Sequence, residues 1–128
     1  MKIGVFDSGI GGITVLTELR RKLPGASYYY YGDTARFPYG TKSRQQIEVF
    51  CAEGARALRD RGVEALVVAC NTASSLALDA IRGVMGDLPV FGVVEPGVEA
   101  ALTAFGELKS PNAPIVVLAT KATVRSGA

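Results

Sequence analysis

Glu64-Ala65-Leu66-Val67-Val68-Ala69-Cys70, running into Asn71-Thr72-Ala73-Ser74-Ser75, is the stretch on which the fold turns. Leu66 to Ala69 is short, apolar and partly β-branched, as expected of a strand covered on both faces, and the polar segment after it can open a helix. Cys70 therefore stands where strand becomes helix. At such a junction unpaired amides and the helix dipole stabilise negative charge and favour a reactive thiolate. The competing reading is a buried cysteine that serves only as a small hydrophobe.

Upstream, Met1-Lys2-Ile3-Gly4-Val5-Phe6-Asp7-Ser8-Gly9-Ile10-Gly11-Gly12 reads as a first strand entering a glycine-rich turn, with Asp7 and Ser8 at the strand's carboxyl end. Three glycines in four positions let the backbone turn sharply and approach a ligand, and the amides of a helix start suit an anionic group. The turn lacks the Gly-Lys-Ser/Thr ending of a nucleotide loop and the spacing of the dinucleotide fingerprint. Asp7 also fits a plain turn or cap.

A second strand, Ser27-Tyr28-Tyr29-Tyr30-Tyr31-Gly32-Asp33, leads into Thr34-Ala35-Arg36-Phe37-Pro38-Tyr39-Gly40-Thr41. Pro38 restricts one backbone angle, Gly40 permits an unusual one and Tyr39 carries a ring with a hydroxyl, so this loop can hold a shape against a small ligand. An aromatic packed down onto the core is the alternative. Ser43 and Gln46 have the spacing of a capping box at the start of the next helix.

The whole chain alternates: strands near 2–7, 27–32, 64–70, 89–94 and 114–119, and helices near 13–22, 43–61, 72–86 and 97–107. This order predicts an α/β fold, a three-layer, doubly wound, mostly parallel sheet of flavodoxin-like type. Ligands of such sheets collect outside the carboxyl ends of the strands, where Asp7, Asp33 and Cys70 all fall. A length of 128 residues suits one domain, and the 48% of hydrophobic residues supply a core. The net charge of +2 is too mild to argue for nucleic acid. Met1-Lys2 enters a strand directly, with no signal-peptide pattern, and no segment has transmembrane length, so a cytoplasmic protein without a membrane partner is expected. Cys51 and Cys70 are too few and too far apart for a redox pair or a metal cluster, and no metal is expected.

Six strings carry a specific resemblance: Phe6-Asp7-Ser8-Gly9-Ile10-Gly11-Gly12, Tyr31-Gly32-Asp33-Thr34-Ala35-Arg36, Pro38-Tyr39-Gly40, Ala69-Cys70-Asn71-Thr72-Ala73, Glu95-Pro96-Gly97 and Ala119-Thr120-Lys121-Ala122-Thr123-Val124. In this order they resemble the glutamate racemases of the aspartate/glutamate racemase superfamily. The resemblance implies a cofactor-independent isomerase that interconverts L- and D-glutamate and supplies D-glutamate for peptidoglycan. It further implies two similar lobes with the active site between them, so that residues 1–97 would be the first lobe and 98–128 the truncated start of a second. A homodimer is the assembly to expect.

Inverting an α-carbon requires a base on one face and an acid on the other. By the resemblance, Cys70 is one of the pair and Asp7 beside it tunes the thiol or receives its proton. Ser8, Tyr39, Gly40, Asn71 and Thr72 match substrate-binding positions, Thr120 and Thr123 match threonines that approach from the second lobe, and Asp33 is a supporting residue. The family's second catalytic cysteine lies in a Cys-Thr-His stretch well beyond position 128, and this chain has no histidine. Cys51, inside a mid-helical pattern, is expected to be structural. The chain is therefore expected to be half of a racemase and inactive alone. The alternatives are an aspartate racemase or other superfamily racemase, and a flavodoxin-like module whose glycine turn holds a phosphate or nucleotide.

Overall fold

The computed structural model describes residues 1–107 and 114–128. Four strands, β1 (Lys2–Asp7), β2 (Ser27–Gly32), β3 (Ala65–Val68) and β4 (Val90–Gly92), form one sheet in the order β2-β1-β3-β4, with every pairing parallel. Among the described residues the helices are α1 (Ile13–Lys22), α2 (Arg44–Asp60), α3 (Asn71–Leu76), α4 (Leu78–Met85), α5 (Val94–Glu107) and α6 (Lys121–Ser126), with a 3-10 turn at Tyr39–Thr41.

Alternation along β1 divides the core. Ile3 and Val5 point to the face covered by Val15, Leu16 and Leu19 of α1, and Tyr28 and Tyr30 of β2 join them there. Phe6 points the other way, with Leu66 and Val68, into a larger cluster closed by Ile47, Cys51, Ala55 and Leu58 of α2 and by Ile81 and Met85 of α4. Each Val, Leu, Ile, Phe or Met side chain taken fully from water contributes about 1.5–3 kcal/mol, which is why the broader α2/α4 face dominates the packing. Helices on both faces of a parallel sheet make the expected three layers. The capping box at α2 is present: the Ser43 hydroxyl accepts from Gln46 N at 3.2 Å and the Gln46 carboxamide accepts from Ser43 N at 3.0 Å.

Four elements differ from the sequence reading. The helix expected over 72–86 is broken at Ala77, whose backbone leaves the helical region at φ −129°, ψ 8°. Ser74 explains the division, because its hydroxyl donates to Val68 O at the end of β3 and accepts from Val93 N beyond β4, pinning α3 to the sheet while α4 turns to lay Ile81 and Met85 against α2. Helix α5 starts at Val94, ahead of Pro96, since a proline in the first turn has no intrahelical acceptor to forfeit. It runs through position 97 without a break. The strand expected near 114–119 is not formed: residues 114–120 have no regular structure, and Val116, Val117 and Leu118 are 77%, 78% and 94% exposed. Strand preference is mostly packing against a neighbouring strand, and these residues pair with none. Finally α6 occupies 121–126, beyond the last helix that the sequence pattern predicts. Among the described residues, no helix is long and apolar enough to cross a membrane.

Candidate active site

The chain passes from β1 to β2 on one side and then crosses to β3 on the other, so the winding reverses between β1 and β3. That gap at the strands' carboxyl ends is the expected ligand crevice of an open α/β sheet. Asp7 and Ser8 close β1, and Cys70 follows β3, held in place by the Ala69 N–H that donates to Phe6 O at 2.8 Å. Cys70 has extended backbone, φ −83°, ψ 119°, and is the N-cap of α3. Its Sγ accepts from Ala73 N at 3.4 Å and donates to the Ser8 hydroxyl at 3.4 Å. A thiol thus occupies a position usually held by a hydroxyl or carboxamide, with two polar partners set around one sulfur.

Asp7 is 6% exposed, and its Oδ2 accepts from Gly9 N at 2.9 Å, which folds the turn back on the strand end. Tyr30 completes this corner. Its hydroxyl donates to Gly9 O at 2.9 Å, and its pKa is pushed up to about 12, first by burial and then by the charge of the neighbouring Asp7 carboxylate, with Cys70 adding to the effect. Tyr30 therefore stays protonated and donating between the glycine turn and the two candidate catalytic groups. The sequence reading did not single it out. The available signal was the period of two, which puts Tyr30, paired with Val5, on the sheet face that Asp7 continues.

The glycines act by size. None from Gly9 to Gly12, nor Gly40, has a positive φ, so the unusual backbone expected of Gly40 is not used. A Cβ on Gly12 would lie 2.8 Å from the Cβ atoms of both Asp7 and Ala69, and one on Gly40 would lie 2.8 Å from the Cβ of Thr120. Both positions admit only glycine without displacement of a candidate site residue.

In the second loop the aromatic is packed down. Tyr39 is 1% exposed, and its hydroxyl donates to Asp33 Oδ2 at 2.6 Å. Burial first, and then that hydrogen bond, drives the Tyr39 phenol far above its ordinary range and keeps it a donor. The same carboxylate receives Arg36 Nε at 2.7 Å; Arg36 also pairs with Glu53 and stacks its guanidinium 4.3 Å from the Phe50 ring centroid. Asp33 is thus the anchor of the loop, and the main chain of Tyr39 and Gly40 is what remains for a ligand.

Three threonines meet above α3. Thr72 Oγ1 lies 2.9 Å from Thr120 Oγ1 and 3.3 Å from Thr123 Oγ1, while Thr120 caps α6 by accepting from Thr123 N at 3.2 Å. Asn71, the first residue of α3, is exposed. Cys51 is fully buried in the α2 face of the core, in the same cluster as Tyr39 and Cys70, and burial first, then the neighbouring Cys70, pushes its thiol well up and keeps it protonated. Among the described residues no group of three His, Cys, Asp or Glu side chains is placed to hold a metal.

The fold is thus a doubly wound α/β lobe that gathers a capping thiol, a hydroxyl and a carboxylate at its switch point. The family model of Asp/Glu/Hydantoin racemase matches residues 13–128, and the chain belongs to that family. It is 50% identical over 127 residues to a glutamate racemase of Persephonella marina, covering 99% of this chain and 47% of that protein. Among solved structures it resembles the glutamate racemase of Campylobacter jejuni subsp. jejuni, at TM-score 0.89 and 47% identity over 98% of this chain and 49% of that one. It also resembles that of Francisella tularensis, solved in complex with D-glutamate, at TM-score 0.85 and 42% identity over 98% of this chain and 45% of that one. The chain spans about half the length of the curated relatives it matches.

Proposed function

We propose that this chain is the first lobe, residues 1–97 with the start of a second, of a cytoplasmic glutamate racemase that supplies D-glutamate for peptidoglycan. The observation that carries this reading is the sulfur of Cys70, held at the β1/β3 switch point between the Ala73 amide and the Ser8 hydroxyl. The comparison with glutamate racemases at about half their length supports the choice of reaction and substrate.

Cys70 exchanges the proton at the substrate Cα on one face. While the sulfur is a thiol it donates to Ser8; once it is a thiolate the Ser8 hydroxyl can turn and donate back, so that Ser8 and the Ala73 amide both stabilise the charge. Asp7 tunes that thiol or receives its proton, and Tyr30 holds the turn on which Asp7 sits. Gly40, Asn71, Thr72, Thr120, Thr123 and the main chain of Tyr39 bind the amino and carboxylate groups. The proton on the other face comes from a second thiol outside this chain, since Cys51 is buried in the core. No cofactor enters this chemistry, and the working assembly is a homodimer.

The test is D-glutamate formation from L-glutamate by this chain alone, and by this chain joined to a second lobe carrying a Cys-Thr-His stretch. None is expected from the first and robust turnover from the second. Turnover by the chain alone would defeat the two-thiol mechanism. Preference of the joined protein for aspartate would move the substrate, and indifference to every acidic amino acid would end the racemase reading.

A further inference from the structure

Gly9 is held on three sides. Its N–H donates to Asp7 Oδ2 at 2.9 Å, and its carbonyl accepts from the Tyr30 hydroxyl at 2.9 Å. That carbonyl crosses Gly32 at the end of β2, where an added Cβ would lie 2.2 Å from Gly9 O and 3.0 Å from Tyr30 Cε1. The third side is closed by the Phe37 ring, whose Cδ2 and Cε2 would lie 3.0 and 3.4 Å from a Cβ placed on Gly9. Phe37 comes from the loop that Asp33 anchors through Tyr39 and Arg36, so two loops that leave different strands meet at this one residue.

Phe37 is 62% exposed, so burial in the core does not account for its place. An aromatic left mostly in water contributes little to folding. What its ring does is shield the backbone of Gly9 from water. The Gly9 N–H faces a carboxylate, and such a charge-assisted bond is stronger where water cannot compete for the donor. Glycine turns about its backbone bonds more freely than any other residue, so nothing intrinsic to Gly9 aims its N–H at Asp7. The aim is set by the surroundings: Tyr30 holds the carbonyl, Gly32 leaves room for it and Phe37 covers the turn from outside. With Oδ2 occupied in this way, the Asp7 carboxylate is kept in one orientation and its other oxygen is left to the crevice.

We propose that Gly32 and Phe37 are positioning residues for Asp7 and act through Gly9, Gly32 by having no side chain and Phe37 by covering the turn. The inference deepens the racemase reading and rests on it for the role of Asp7, whereas the clamp on Gly9 exists whatever the reaction. A carboxylate that tunes a thiol or takes its proton acts only at close range. A displacement of about 1 Å at such a site can cost on the order of a hundredfold in rate.

Hydrogen exchange at the Gly9 amide, followed by NMR in this chain, reads the clamp directly. Phe37→Ala should speed that exchange about tenfold, the scale of weakening one hydrogen bond to a charged acceptor, and Phe37→Tyr, which restores the ring, should return it to the parent rate. Phe91→Ala, which removes another exposed aromatic on the edge strand β4, should leave it unaltered. In the chain joined to a second lobe, Phe37→Ala and Gly32→Ala should lower kcat about tenfold or more with KM within about twofold, and Phe37→Tyr should restore kcat. Unchanged Gly9 exchange in Phe37→Ala overturns the proposal whatever reaction the protein performs. Faster exchange with unchanged kcat overturns it as well, because Asp7 would then need no such support. A joined parent without turnover ends the racemase reading instead, and the exchange rates still decide the clamp. Because Phe37 is exposed, its variants carry the test even if Gly32→Ala fails to fold.

Discussion

The sulfur of Cys70 lies 3.4 Å from the hydroxyl oxygen of Ser8, a residue 62 positions earlier in the chain. The contact exists because β1 and β3 are neighbours in the sheet, so two strand ends remote in sequence share one crevice. Because this bond is neutral and weak, Ser8→Ala should leave stability within about 1 kcal/mol of the parent. In a two-lobed protein it should lower turnover several-fold, with less effect on KM, because it removes a donor needed chiefly when the sulfur is charged. A change in KM alone, in steady-state kinetics, would make Ser8 a substrate contact and nothing more.

The two thiols should behave differently. Cys70 is at a strand end and 7% exposed, whereas Cys51 is fully buried and held protonated. Mass spectrometry after brief exposure to iodoacetamide should find the label on Cys70 first. Cys70→Ser should abolish racemisation in a folded two-lobed protein. Cys51→Ala should keep most activity and cost about 1 kcal/mol, the scale of losing one buried heavy atom. Faster labelling of Cys51 would reverse the assignment.

Asp33 joins Tyr39 and Arg36 in one buried corner. Tyr39→Phe keeps the ring in the core but takes one donor from the carboxylate, so the urea midpoint should fall by an amount equivalent to about 1–3 kcal/mol. An unchanged midpoint would mean that Arg36 alone satisfies Asp33.

Alkaline pH should destabilise the chain through its tyrosines. Tyr30 is raised from its ordinary 10.0 to about 12, chiefly by burial and by Asp7, so between these values the unfolded chain has released a proton that the folded chain keeps. Stability is therefore fully present below pH 10 and declines as pH rises toward 12. Tyr39, raised further by burial and Asp33, acts in the same direction. Denaturant unfolding measured across this window should show the decline, and Tyr30→Phe should make it shallower. An equal slope in that variant would mean that Tyr30 ionises as freely as a solvent-exposed phenol.

Gly12→Ala and Gly40→Ala test close packing around the site. Each added Cβ would meet another side chain's carbon at 2.8 Å, at Asp7 and Ala69 for the first and at Thr120 for the second. Overpacking of this kind costs about 1–3 kcal/mol, and thermal unfolding should register it. Gly25→Ala, with nothing near its added Cβ, is the control. Equal thermal midpoints for all three variants would show that the crevice is loose.

Local pattern made most of this fold legible. The apolar run into Cys70, the glycine turn after Asp7 and the Ser43/Gln46 spacing each define an element from its own residues, because strand period, turn chemistry and capping are short-range properties. The same residues place Asp7, Asp33 and Cys70 at strand ends. Three matters lay beyond that reach. Val116, Val117 and Leu118 have strand-forming side chains and form no strand, because strand formation needs a partner that their own sequence does not supply. Tyr39 and Tyr30 look alike among the aromatic residues of the chain, yet one is buried against Asp33 and the other closes the Asp7 turn, since only the packed core decides which hydroxyl finds which acceptor. Gly32 reads in the sequence only as the end of a strand, yet the Gly9 carbonyl crosses it and the Phe37 ring covers Gly9 in turn. A glycine's missing side chain is written in the sequence, but which atoms come to fill the space beside it is decided only by close packing once the chain has folded.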